Sequence, residues 1–169
     1  KGISSISQQV LENDFSWSFQ TSPPKLVYHW PVDKNQWIDL DEVITLQFDQ
    51  RISLQQAKNF LQLTAKGPGG WKTFLPFHLR HLTQEEIDKA YFRAKQGEVF
   101  LLEPEQKLKP GYLYQVRVLK ELPGAEGPLG MLEEHQFSFS TYGLFRFLGT
   151  SDSHLSDPRK SIILNFSNP

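Results

Sequence analysis

Leu108-Lys109-Pro110-Gly111-Tyr112-Leu113-Tyr114-Gln115-Val116-Arg117-Val118 is the stretch that decides the fold. Tyr112, Tyr114, Val116 and Val118 alternate with Leu113, Gln115 and Arg117. That two-residue period places them on one face of an extended chain, the pattern of a half-buried strand. Aromatic and β-branched residues suit such a strand. Pro110-Gly111 just before it turns the chain, and the plain local reading is a Pro-Gly turn opening a strand.

Working outward, the same alternation recurs. Val43, Thr45 and Gln47 lie on one face, with Ile44, Leu46 and Phe48 on the other. Residues 25–30, 61–65, 71–79, 99–102 and 136–142 also read as strands, and Lys66-Gly67-Pro68-Gly69-Gly70 as a hairpin connection. The Gly/Pro-rich residues 122–130 form a long hairpin loop. Ser53-Leu54-Gln55-Gln56 and Thr83-Gln84-Glu85-Glu86 read as capping boxes. They open two short helices, the first ending near Leu61 and the second running through Ile87, Ala90, Tyr91 and Ala94 to Gly97. The expectation is a mostly β chain: an immunoglobulin-like, fibronectin-type antiparallel β-sandwich with two short inserted helices. A βαβ arrangement fits less well, because no glycine-rich strand-to-helix turn occurs.

A phrase from one end returns at the other. Trp17-Ser18-Phe19-Gln20-Thr21 becomes Phe137-Ser138-Phe139-Ser140-Thr141, 120 residues on. Val43-Ile44-Thr45-Leu46-Gln47-Phe48 becomes Ser161-Ile162-Ile163-Leu164-Asn165-Phe166, 118 residues on. A near-constant, domain-sized offset marks a repeated module. The implied division is 1–21 as the last strand of a preceding module or an extension, 22–143 as one module, and 144–169 as a linker and the first strands of a following one. Phe15, Trp17 and Phe19 would form the earlier strand, stopped by Ser22-Pro23-Pro24, since proline offers no ladder donor. Both terminal strands would carry open edges, and at least one is expected to pair.

Composition narrows the function. With 38% hydrophobic and 22% charged residues, the chain can build a core. A formal net charge of −1 with both signs interspersed provides no basic stripe for nucleic acid. No apolar run reaches the roughly 20 residues of a membrane span. There is no signal-type segment at Lys1, so any targeting sequence is expected outside these residues. The absence of cysteine excludes disulfides, thiol nucleophiles and thiolate metal sites.

Residues 108–116 resemble the Leu-x-Pro-Gly-x-x-Tyr-x-Val turn of fibronectin-type and bacterial Ig-like domains. The resemblance implies a structural corner at Pro110, Gly111 and Tyr114, where the tyrosine hydroxyl bonds back to the backbone. Pro31 followed by Val43 to Ile52 resembles the opening strand of bacterial Ig-like modules, with Arg51 where proline is usual. Phe137-Ser138-Phe139-Ser140-Thr141 resembles their closing strand, and residues 163–169 resemble the opening strand starting again. Tandem domains with such junctions resemble the N-terminal region of bacterial alpha-2-macroglobulins, large surface or periplasmic protease traps. The reactive element of that family is a Cys-Gly-Glu-Gln thioester in another domain. These residues, lacking cysteine, would then be scaffold.

Sharper chemistry finds little footing. His78 and His81 are three apart but follow Pro76 and precede the helix, at a strand end or in a loop, and His29, His135 and His154 are scattered. Gly67-Pro68-Gly69-Gly70 lacks the Lys-Ser/Thr of a phosphate loop. Asp39, Asp41 and Glu42 read as solvated turn acids rather than a glycosidase pair. No Gly-x-Ser-x-Gly elbow occurs. Trp30, Trp37 and Trp71 form a possible interaction surface: either core and interdomain packing or a sugar-binding face.

The expectation is a non-enzymatic module without cofactor or metal, in a periplasmic or cell-surface protein. Its partners would be adjacent domains of the same chain, and proteases only through the parent. The alternative is a binding module of a surface adhesin or carbohydrate-active protein.

Overall fold

A computed structural model describes residues 4, 6–9, 16–90, 93–151 and 163–168. Phe15, Tyr91, His154, Ser161, Ile162 and Pro169, which entered the readings above, lie outside the described residues.

Two sheets face each other. One is ordered β1 (Leu26–Trp30), β3 (Ile44–Phe48), β7 (Val99–Pro104), β6 (Phe77–His81). The other is ordered β2 (Asn35–Ile38), β9 (His135–Thr141), β8 (Leu113–Val118), β4 (Leu61–Lys66), β5 (Lys72–Phe74). This is the strand order of an immunoglobulin sandwich, with β1-β3-β7-β6 as the A-B-E-D sheet and β4-β8-β9 as C-F-G. The helices are α1 (Leu54–Phe60), between β3 and β4, and α2 (Gln84–Lys89), between β6 and β7.

The alternation read in the sequence becomes the core. Ile44, Leu46 and Phe48 of β3, and Phe100 and Leu102 of β7, meet Tyr114, Val116 and Val118 of β8 and Phe137 and Phe139 of β9. Phe48 meets Phe100 edge-on at 5.7 Å, and Tyr114 stacks on Phe139 at 5.4 Å. A second cluster lies beneath α2, where Leu82, Ile87 and Val99 are buried together. Val99 points away from the main core, so α2 gives that sheet a second covered face.

Several local readings are revised. Residues 71–79 are two strands in different sheets, β5 pairing with β4 and β6 with β7. Pro76 lies between them and lacks the N–H that would carry one ladder through. α2 ends at its cap Ala90, not at Gly97, which has φ +92 and lies in a turn closed by Glu98 N–H on the Lys95 carbonyl. Ser53 makes no side-chain cap bond, so its capping box does not form. Thr83 and Glu86 form theirs reciprocally. Residues 16–21 hold no strand. β2, absent from the strands expected above, is an edge strand and pairs parallel to β9.

The last two strands stand apart. β10 (Phe147–Ser151) and β11 (Ile163–Phe166) form an antiparallel two-stranded sheet. Leu144, Phe145, Phe147, Leu148, Ile163 and Leu164 all leave much of their surface exposed there. A lone hairpin with apolar residues in water is marginal without further strands to cover it.

Candidate functional site

The Pro110-Gly111 turn ties the two long central strands together. Gly111 sits at φ +71, and its N–H donates to the Tyr142 carbonyl at 2.8 Å. The Tyr114 hydroxyl accepts the Lys109 N–H at 2.6 Å, with the residue only 1% exposed. Burial raises the phenol pKa, so this oxygen stays protonated. Thr141 completes the arrangement, its hydroxyl donating to the Lys109 carbonyl at 2.6 Å and accepting the Tyr112 N–H at 3.3 Å. Thr141 was not singled out from the sequence, although it closes the repeated Phe-Ser-Phe-Ser-Thr phrase.

The three tryptophans are separated. Trp30 is half-buried against the core, its indole N–H on Glu42 at 3.0 Å. Trp71, 85% exposed, borders a cleft of about 380 Å³ with Thr73, Leu75, Lys107, Lys109 and Tyr112. Lys109 Nζ lies 5.7 Å from the Tyr112 ring centre, and Lys107 pairs with Asp41 at 2.8 Å. Trp37, 52% exposed, borders a different groove, shared with Gly111, Leu113, Ser140, Ser167 and Asn168. Tyr112 lines both.

The titratable groups serve the fold. His29 stacks on Phe137 at 3.8 Å, 5.5 Å from His135, at the edge where the two sheets meet. Burial, then the neighbouring His29, pushes the His135 pKa down, against a smaller upward pull from Asp33. Asp33 accepts the Ser138 N–H at 2.9 Å, the bond that chiefly lowers its own pKa. Burial also lowers His81, whose Nε2 lies 3.0 Å from the Ile52 carbonyl. Arg80 and the Thr83 cap hold Glu86 at about 2. Asp41 and Glu42 are engaged by Lys107 and Trp30, and residues 67–70 close a hairpin through Gly70 N–H on the Gly67 carbonyl. Among the described residues, no group of three His, Asp or Glu side chains is placed to hold a metal, and no helix is long and apolar enough to cross a membrane.

The sequence model of a family described as "Bacterial Ig-like domain" matches residues 20–141. The chain belongs to that family. No curated protein matches it. Among solved structures it is similar to "surface layer protein SbsC, domains 1-6", with a TM-score of 0.42 and 15% identity. That likeness covers 76% of this chain and 15% of the other, so the chain spans a small part of that protein's length. The family matched is the bacterial Ig-like domain in general; the narrower macroglobulin resemblance is not what these comparisons carry.

The terminal hairpin copies the way the chain starts the bacterial Ig-like domain. β1 pairs β3 as Leu26↔Phe48, Tyr28↔Gln47, His29↔Leu46 and Trp30↔Thr45, with a register shift after Leu26. β10 pairs β11 as Phe147↔Phe166, Gly149↔Asn165, Thr150↔Leu164 and Ser151↔Ile163, with the shift after Phe147. The bonds outside the ladders repeat as well. Gln50 Nε2 donates to the Ser22 carbonyl at 3.0 Å, and Asn168 Nδ2 to the Gly143 carbonyl at 2.9 Å. The Lys25 N–H donates to Asp49 Oδ1 at 2.8 Å, and the Arg146 N–H to Ser167 Oγ at 2.8 Å. The Asp49 N–H returns to the Lys25 carbonyl at 3.1 Å, and the Ser167 N–H to the Arg146 carbonyl at 2.9 Å. Two constant offsets, 121 residues for the first strand and 118 for the second, relate every pair.

Proposed function

We propose that this chain is a non-catalytic structural module of a tandem Ig-like array in an exported or surface protein. Residues 22–143 form one module and residues 144–169 begin the next. The observation that carries this reading is the copied start, in which register, bulge and three flanking hydrogen bonds recur together. A hairpin arising by chance would share the alternation but not the irregularity, because a bulge is specific to its position. The role follows from the architecture: a sandwich with its ends at opposite poles transmits position and load between neighbours. Pro110, Gly111 and Tyr114 lock the central strands that bear it.

Stretching the parent polypeptide tests the reading. A repeat of about 120 residues extends by about 400 Å when one module opens, at roughly 3.3–3.6 Å per residue. Regular force peaks at that spacing are expected, and their absence would reject the array. A macroglobulin parent is the narrower form of this proposal, supported by the motif resemblance at residues 108–116 and 137–141. A Cys-Gly-Glu-Gln motif in the same reading frame would support it, and a long parent lacking one would remove it.

A binding role is favoured by one observation, the highly exposed Trp71 beside the Tyr112 cleft with Lys107 and Lys109. An aromatic platform with a few polar groups suits a saccharide. Glycan binding abolished by Trp71→Ala would establish it.

A further inference from the structure

Trp37 is placed at a cost. It is an aromatic residue at φ +67 and half-exposed, the third residue of a four-residue edge strand. A non-glycine residue in that region is strained and persists only where its surroundings impose it. The groove it borders, about 380 Å³, has Gly111, Leu113 and Ser140 on the module's side and Ser167 and Asn168 on the far side.

The first module shows what belongs in such a groove. By the offset, Asp49 and Gln50 are the counterparts of Ser167 and Asn168. Both modules begin with the same bonds, and in the first a loop covers Gln50. The Glu126 N–H donates to Gln50 Oε1 at 3.2 Å, and the Ala125 N–H to the Arg51 carbonyl at 2.9 Å. Gly124 lies so close that a Cβ there would strike the Gln50 amide, and at Gly127 a Cβ would strike Thr21. Thr21 and Thr141 each close a copy of the repeated phrase, one residue out of step with the 121-residue strand offset, and Thr141 lines the Trp37 groove. A second module built on β10 and β11 therefore brings its own β8–β9 loop over Asn168 and Thr141, facing Trp37.

We infer that Trp37 is the receiving surface for the β8–β9 loop of the following Ig-like repeat. The loop's small residues let backbone approach the indole, as Gly124 and Gly127 approach Gln50 and Thr21 in the first module. The contact is head-to-tail: the Trp37 pole of one module meets the β8–β9 loop pole of the next, and the two surfaces differ. Continuity with the Asn168–Gly143 bond places the occupant, and the interface sets the angle between modules. The inference rests on the array reading above.

The experiment compares this chain with the parent polypeptide carrying the next module, by hydroxyl-radical footprinting of individual tryptophans. Trp37 labelling is expected to fall several-fold when the second module is present. Trp71, at the other cleft, is expected to stay equally labelled. A second module that folds, with regular force peaks, while Trp37 labels as before would overturn the inference and leave the array intact. Absence of those peaks removes the array, and the contact with it. As a second readout, Trp37→Ala in the two-module polypeptide should broaden the interdomain distances measured by X-ray scattering. An unchanged distribution with both modules folded counts against the contact.

Discussion

The Lys109 N–H donates to the Tyr114 hydroxyl at 2.6 Å, across the turn that separates the two residues. Replacing Tyr114 with Phe keeps the ring against Phe139 but leaves a backbone donor without its partner. The expected loss is about 1–3 kcal/mol. A urea titration should show a lower midpoint with an unchanged slope, whereas Tyr114→Ala should lose about 3–5 kcal/mol through the cavity it adds. A Phe variant as stable as the parent would show that the bond contributes nothing.

Acid should weaken the fold through two histidines. His81 and His135 have pKa values below the unfolded 6.5, so near that pH the unfolded chain binds more protons than the folded one. Stability then rises with pH. It is fully present above 6.5 and is lost as pH falls through the lowered folded values. Melting temperature should hold steady above about pH 7 and decline below about 6.5, with a shallower decline in His135→Gln. A melting temperature that climbs on acidification would contradict the assignment. Glu86, held at about 2, acts in a separate window: its contribution is present above 4.5 and is lost only as pH approaches 2.

Three glycines should respond differently to alanine. At Gly130 a Cβ would lie 2.6 Å from the Glu121 backbone, which has little freedom to move, so a loss of about 1–3 kcal/mol or more is expected. At Gly124 the obstacle is the Gln50 amide, whose displacement gives up its bonds to the Ser22 carbonyl and the Glu126 N–H. Gly69 has only an ordinary contact with Trp71 at 3.7 Å, and its substitution should be neutral. Thermal melts of the three variants test the order, and equal effects at Gly69 and Gly130 would refute it.

The two helix starts make a matched pair. Thr83→Ala removes a formed capping box and should cost about 0.5–2 kcal/mol. Ser53→Ala removes no cap bond and should stay within about 0.5 kcal/mol of the parent. Equal losses measured by denaturant unfolding would mean that Ser53 caps in solution.

Much of this contrast was legible in residue order, and some was not. Tyr114, Val116, Phe137 and Phe139 were readable as inward because alternation alone specifies a strand's two faces. Thr83 was readable because its box closes within four residues. Ser53 has the same spelling, yet its side chain makes no cap bond. The candidate surface was less legible. Trp30, Trp37 and Trp71 look alike in the chain, and only the sheet order sends them to a core edge, a groove beside Gly111 and a separate cleft. The bonds from Gln50 and Asn168 carried no local motif; only the repeat offset pointed to them.

The sequence by itself determined the β character, the inward faces, the Pro-Gly corner and the period relating the two ends of the chain. Those signals act over a few residues, or through plain self-similarity. Tertiary structure alone decided that residues 71–79 divide between two sheets at Pro76 and that β2 lies parallel to β9. It also decided that Thr141 reaches the Lys109 carbonyl and that the last hairpin copies the bulge of the first. Backbone hydrogen bonds are nearly blind to side-chain identity, so partners far apart in the chain are chosen by which arrangement buries both inner faces at once.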